Sequence, residues 1–256
     1  MVAEPEIRIA ADREALTQLA AEEFAARAEA AIQARGAFAV ALSGGSTPKE
    51  LYARLASEAH PFRRRIAWGQ VHFFWGDERH VPPDDPQSNY RMAHEAMLSK
   101  LPVRGENVHR MLAEQSAAEA AAAYEQTLRD YFHLAPGELP RFDLVLLGLG
   151  PEGHTASLFP GNTVPRDSSR LAAATWVEKL HADRITLTPA VLNHAARVAF
   201  LVSGADKAEI VAEVIRGPQR PEELPAQCIR PDLTSVVWLV DRAAAGKLSN
   251  SSPGQE

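Results

Sequence analysis

One cysteine, Cys228, stands among 256 residues, so neither an internal disulfide nor a cysteine-based metal cluster can form. It lies in a Pro-flanked segment with no sequence-adjacent activating partner and does not read as a catalytic thiol. No apolar stretch approaches the roughly 20 residues that a membrane helix needs. The N-terminal run MVAEPEIRIAADRE is acidic and lacks a long apolar core, so it is expected not to be a signal peptide. Without a secretory signal, the glycosylation match Asn250-Ser251-Ser252 carries no weight. A basic excess is also missing: 27 Lys and Arg against 33 Asp and Glu leave a net charge of −6. That balance argues against a nucleic acid or an anionic membrane as partner, while a local cationic pocket for a small anion stays compatible with it. There is no H-E-x-x-H, no Cys-His ligand spacing, no Asp-rich magnesium signature and no G-x-S-x-G elbow. The expectation is a cytoplasmic protein with neither metal nor cofactor and no serine nucleophile; monomer and homodimer are equally compatible with the sequence.

What the chain does have is alternation. Residues 14–35 are Ala-rich with apolar positions at helical spacing, and Gly36 suits their C-terminal stop. Residues 38–42 read as a strand, and Thr47-Pro48-Lys49-Glu50 then offers a capping box with Pro at the first helical position. A strand over 71–75 and a helix over 88–100 follow, and Ser116-Ala117-Ala118-Glu119 supplies a second capping box for a helix to about residue 132. Beyond a strand at 142–149 come strand-like 172–177 and 184–188, a short helix at 189–194, a strand at 197–202 and a helix at 207–216. Residues 217–231 hold four prolines and read as a crossing loop, before a last strand at 235–240 and a short helix. No repeat or boundary interrupts the pattern. Residues 1–248 therefore read as a single α/β domain, a mostly parallel open sheet with helices on both faces, and 249–256 as a polar, disordered tail.

The most informative stretch is 142–161, FDLVLLGLGPEGHTASLFPG, where a continuous apolar run gives way to a glycine-rich loop carrying Glu152, His154, Thr155 and Ser157. Parallel strands end on one side of a sheet, and ligands bind there. Four such ends lead into polar loops: Ser43-Gly44-Gly45-Ser46-Thr47, Gly76-Asp77-Glu78-Arg79-His80, the Glu152–His154 loop, and Ser203-Gly204-Ala205-Asp206-Lys207. All four should meet on one rim. The first has the features of an anion cradle, two glycines and three hydroxyls delivered to a helix start, without Walker or dinucleotide-fingerprint spacing. Lys207 and Arg184, placed on neighbouring strand ends, turn that cradle into a candidate phosphate-monoester site. The cluster 77–80, taken alone, reads as a solvated turn with surface ion pairs.

Five ordered blocks, LSGGSTP at 42–48, GDERHVPPDDPQSNY at 76–90, LGLGPEGHTASLFPG at 147–161, RITLTPAVLN at 184–193 and SGADK at 203–207, resemble the 6-phosphogluconolactonases. The resemblance covers residues 39–240. It implies a Rossmann-like fold of the phosphosugar isomerase and lactonase type and hydrolysis of 6-phospho-D-glucono-1,5-lactone in the oxidative pentose phosphate pathway. The wider superfamily includes glucosamine-6-phosphate deaminases, in which a GHIAFNEPG loop carries a glutamate; here Phe159 stands in its place, and Arg79 replaces the tyrosine of the deaminase DEY block. Both departures favour the lactonase over a deaminase or isomerase, or over a non-catalytic phosphosugar sensor. The resemblance implies His154 as general base, with Arg79, Asp77 and Glu152 around it. The substrate phosphate is implied on Ser43, Gly44, Gly45, Ser46, Thr47, Arg184 and Lys207. Whether Arg79 or backbone N–H groups stabilise the oxyanion, and what Asp77 and Glu152 each do, stays open at this stage.

Overall fold

The Ala-rich stretch folds as its spacing predicts. Helix α1 spans Arg13–Arg35; the Asp12 side chain accepts the Ala15 N–H at its start, and Gly36 ends it at φ 76°, a left-handed conformation costly for any residue with a Cβ. In the computed structural model, which describes residues 5–162, 164, 170–230 and 235–248, α1 follows a strand the sequence analysis did not anticipate, β1 (Glu6–Ala10). Then come β2 (Phe38–Leu42), α2 (Ser46–Ala56), α3 (Phe62–Arg65), β3 (Val71–Trp75), β4 (Asp77–Arg79), α4 (Asn89–Ala96) and α5 (Ala117–Phe132). The second half holds β5 (Leu144–Leu147), β6 (Ala172–Val177), β7 (Ala182–Leu187), α6 (Pro189–Asn193), β8 (Arg197–Val202), α7 (Ala208–Arg216) and β9 (Ser235–Asp241).

Six strands form an all-parallel sheet in the order β1-β9-β8-β5-β2-β3. Its inner strands β2, β5 and β8 are buried at every position, which is why they read as unbroken apolar runs. After β2 the chain moves outward to β3, and β5 then enters on the other side of β2. The connections leave β2 and β5 in opposite directions, and the crevice this opens at their C-terminal ends is where an open α/β sheet binds its ligand.

A second sheet departs from the all-parallel picture: β4-β7-β6 is antiparallel, with Asp77 opposite Thr186 and Arg79 opposite Arg184. The switch between sheets happens at Gly76, whose N–H donates to the Leu42 carbonyl of the large sheet and whose carbonyl accepts the Leu187 N–H of the small one. Residues 77–79 are thus strand and not solvated turn. Glu78 is buried because the start of α4 takes its charge: its carboxylate accepts the N–H groups of Arg79, Asn89 and Tyr90 and the Ser88 hydroxyl.

Other expectations are corrected locally. The capping box at Thr47–Glu50 does not form: α2 starts at Ser46 after Gly45 at φ 102°, no side chain caps it, and Glu50 pairs with Arg13 instead. The capping box at Ser116 is present with both of its bonds. The 142–149 strand is trimmed to Leu144–Leu147, because the Asp143 carboxylate caps the sheet end by accepting the Ala39 N–H and pairing with Arg35. The 88–100 helix breaks after Ala96 into a 3₁₀ turn, and residues 242–247 form turns where a short helix was expected. The expected tail, 249–256, lies outside the described residues.

Candidate active site

Two tyrosines fix the rim before any ligand enters. The Tyr52 hydroxyl accepts the Ser43 N–H and donates to the Ser43 carbonyl, and the Tyr124 hydroxyl does the same for Trp75. Each phenol replaces the sheet neighbours that a strand loses at its end. Burial pushes both hydroxyls well above the ordinary phenol range, so they stay protonated and keep donating.

The four polar loops do converge. They line one cavity of about 400 Å³ at the C-terminal ends of β2, β3, β5 and β8, and the lining includes Ser43, Gly44, Gly45, Ser46, Thr47, Asp77, Arg79, His154 and Lys207. At the 43–47 end, the lack of a side-chain cap leaves the opening amides of α2 without an acceptor from that source, and Pro48 has no N–H to satisfy. Gly44 must be glycine: a Cβ there would stand 2.0 Å from Asn89 Oδ1. The Asp241 carboxylate holds the Lys207 loop by accepting the Ser203 hydroxyl at 2.5 Å and the Gly204 N–H at 3.1 Å. Burial opposes ionisation of Asp241, but these bonds and the Ala244 N–H hold it below the usual carboxylate range. Lys207 itself is half-buried and makes no ion pair among the described residues.

His154 also lines the cavity, half-buried and stacked on Phe159 with ring centroids 4.1 Å apart. Burial holds its imidazole below the ordinary histidine pKa, against the pull of Glu152 and Asp77 and with the help of Lys207. Nδ1 lies 3.0 Å from Glu152 Oε2, yet the ring N–H direction misses the carboxylate, so both buried atoms are poised without a formed hydrogen bond. Burial works against the Glu152 charge, while a backbone hydrogen bond, His154 and Lys179 (3.3 Å away) hold it below its usual range. Gly148, Gly150 and Gly153 have the spacing of a dinucleotide loop, but no helix follows. They serve packing instead: a Cβ on Gly150 would stand 1.9 Å from His154 Nδ1, and one on Gly153 2.7 Å from Leu224.

Asp77, 8 % exposed, touches no cation among the described residues. Its Oδ2 accepts the Ser157 hydroxyl at 2.7 Å, and Asn89 Nδ2 lies 3.0 Å from its carbonyl and 3.3 Å from Oδ1. Arg79 donates to the Gln87 carbonyl and has no carboxylate partner among the described residues. Arg184 stands opposite it in the β4–β7 register, bonded among the described residues to the Asp183 carbonyl. Burial, and then the neighbouring Arg79, lower the Arg184 pKa against the pull of Asp77 and Glu78.

Two predicted residues do not line the cavity. Glu152 stands behind His154, and Arg184 lies within an antiparallel strand and not at the end of a parallel one. The 77–80 cluster is also dispersed, Glu78 facing α4 and His80 Nε2 the Gln115 carbonyl at 2.7 Å; among the described residues no three His, Cys, Asp or Glu side chains gather to hold a metal. Asn89 and Arg13 line the cavity and were missed. Asn89 lies in a quoted block, but only packing against Gly44 and Asp77 reveals its place.

A family model for glucosamine-6-phosphate isomerases/6-phosphogluconolactonase matches residues 11–238. The chain is 39% identical over 244 residues to a 6-phosphogluconolactonase of Nostoc sp., covering 95% of this chain and 98% of that one. A 6-phosphogluconolactonase of Mycobacterium bovis is 38% identical over 249 residues, covering 94% and 98%. Among solved structures, 6-phosphogluconolactonase from Trypanosoma cruzi superposes with a TM-score of 0.84 at 29% identity, covering 97% of this chain and 98% of that one.

Proposed function

The chain belongs to the glucosamine-6-phosphate isomerase/6-phosphogluconolactonase family, and from that premise we propose that it hydrolyses 6-phospho-D-glucono-1,5-lactone to 6-phosphogluconate in the cytoplasm, in the oxidative pentose phosphate pathway. His154 is the base. With Nδ1 turned to Glu152, the neutral ring keeps its proton there and offers Nε2 to a water. The water oxygen adds to the lactone carbonyl carbon as its proton passes to Nε2, and Arg79 stabilises the oxyanion. Collapse breaks the bond between that carbon and the ring oxygen, which takes the proton back from Nε2 and leaves as a hydroxyl. Asp77 acts through Ser157 and Asn89, holding the cavity wall.

The 6-phosphate sits on residues 43–47 and Lys207, and Arg184 adds to the positive field beside Arg79. Binding energy from this remote group holds the carbonyl against His154. A lactone already hydrolyses in water, so a general base worth about 10²–10⁴-fold and an oxyanion donor worth about 10²–10³-fold suffice.

The stacking of Phe159 on His154 carries this reading. In the deaminases the resemblance places a glutamate at this position to assist the ring opening of an amino sugar. A phenyl ring cannot do that, but it covers one face of the imidazole and adds to the burial that favours its neutral form, the state water activation needs. The test is the lifetime of lactone freshly made from glucose 6-phosphate, with protein and chelator, against a no-enzyme blank. Loss well above the spontaneous rate is expected; loss at the blank rate overturns the assignment.

A further inference from the structure

The unanticipated strand brings a fifth strand end to the rim. β1 runs parallel to β9 in register from Glu6 opposite Val237 to Ala10 opposite Asp241, so its C-terminal end lies on the cavity side. α1 begins directly after it, and Arg13 at its first position lines the cavity with Ser46, Thr47, Asp206 and Lys207. Nothing in the helix itself favours an arginine there, because the macrodipole disfavours a cation at an N-terminus. Its ion pair, Nε to Glu50 Oε2 at 2.8 Å, joins side chains 42% and 48% exposed, a setting in which such pairs add little stability. The pair does fix where the guanidinium stands: Glu50 follows the first turn of α2, so Arg13 is tethered beside the uncapped helix start. Both terminal nitrogens remain without a protein hydrogen bond among the described residues.

Charge balance gives this placement a purpose. A phosphate monoester carries about −1.5 to −2 at neutral pH. Lys207, which lines the cavity beside Asp206, supplies one positive charge; Arg79 is assigned to the carbonyl and Arg184 does not line the cavity. An uncompensated Glu50 would moreover repel a dianion at the start of α2. We propose that Arg13 is a phosphate-binding residue of the active site: tethered at Nε by Glu50, it closes the outer side of the 43–47 cradle and takes the 6-phosphate of the lactone with its terminal nitrogens. This rests on the lactonase reading given above.

Arg13→Gln and Arg13→Lys test it. Arg13→Gln raises the KM for the phosphorylated lactone and the inhibition constant of inorganic phosphate by the same factor, about tenfold or more, with kcat within about twofold of wild type. Arg13→Lys falls between, since it keeps the charge and loses the planar fork. Unchanged KM and inhibition constant, or a fall in kcat at constant KM, overturns the role. If the wild-type protein does not open the lactone, the functional reading fails, but Arg13 is still tested by the rise in melting temperature that inorganic phosphate produces. A rise reduced in Arg13→Gln supports the assignment, and equal rises in both proteins overturn it.

Discussion

Arg197 opens β8 and Lys207 follows its end, yet the two cations live under opposite rules. At the N-terminal end of the sheet every polar atom of Arg197 is engaged: Nε pairs with Glu23 at 3.0 Å, Nη2 with Glu6 at 2.6 Å, and Nη1 donates to the Ser235 hydroxyl at 2.7 Å. Arg8 and Arg27 complete the shell of Glu23, whose side chain is 5% exposed, as that of Arg197 is 4%. Burial opposes the Glu23 charge, and the arginines still hold its pKa below the usual range. This network links β1, β8, β9 and α1 and leaves nothing over for a ligand. At the C-terminal end, Lys207, Arg79 and Arg184 have no carboxylate partner among the described residues, and the carboxylates of Asp77 and Glu78 are satisfied by neutral donors. Charge pairs are complete around Arg197 at one end, while three cations stand without one at the other, the arrangement that the proposed anion site needs.

The sharpest break in that contrast is His154→Gln. It removes the proposed base and keeps the cationic rim, so kcat should fall by about 10²–10⁴ while binding of 6-phosphogluconate, followed by calorimetry, stays within a few-fold. Near wild-type turnover would mean that the open end does not work through this histidine. At the closed end, Glu23→Gln strands Arg197 without its buried partner and should cost about 3–5 kcal/mol in urea unfolding, with kcat per folded molecule unchanged. A loss under about 1 kcal/mol would show that pairing there does not matter. The smallest effect is in the pH profile. The base must be neutral and burial lowers its pKa, so the acid limb of kcat/KM should lie below about 6.5. Glu152 pulls the other way, so Glu152→Gln should move the limb further down. An upward shift, in rates corrected for spontaneous hydrolysis, would remove Glu152 from beside the ring.

Much of this was legible in the sequence for a physical reason. Inner strands of a parallel sheet are apolar on both faces, so β2 and β8 announce their boundaries, and polar residues that follow them line the cavity. What escaped was decided through space. The β1 segment mixes isoleucines with Glu6 and Arg8, charges that make sense only against Arg197 and Glu23, and with β1 unseen Arg13 had no reason to face the rim. Glu78 looked solvated because its partners belong to α4. Gly150 looked like part of a turn until the His154 ring was seen against it.

Gly76 has one further consequence. A single residue bonded to both sheets sets the spacing between them, so the distance from the cradle after β2 to Arg79 on β4 is fixed by backbone pairing and not by loop flexibility. The molecule carries a ruler. Its graduation is the strand repeat of about 3.3 Å per residue, and a register slip that kept Arg79 on its face would have to shift it by two such steps. On the proposed reading, the β4–β7 pairing therefore fixes the span between the substrate's phosphate and its carbonyl.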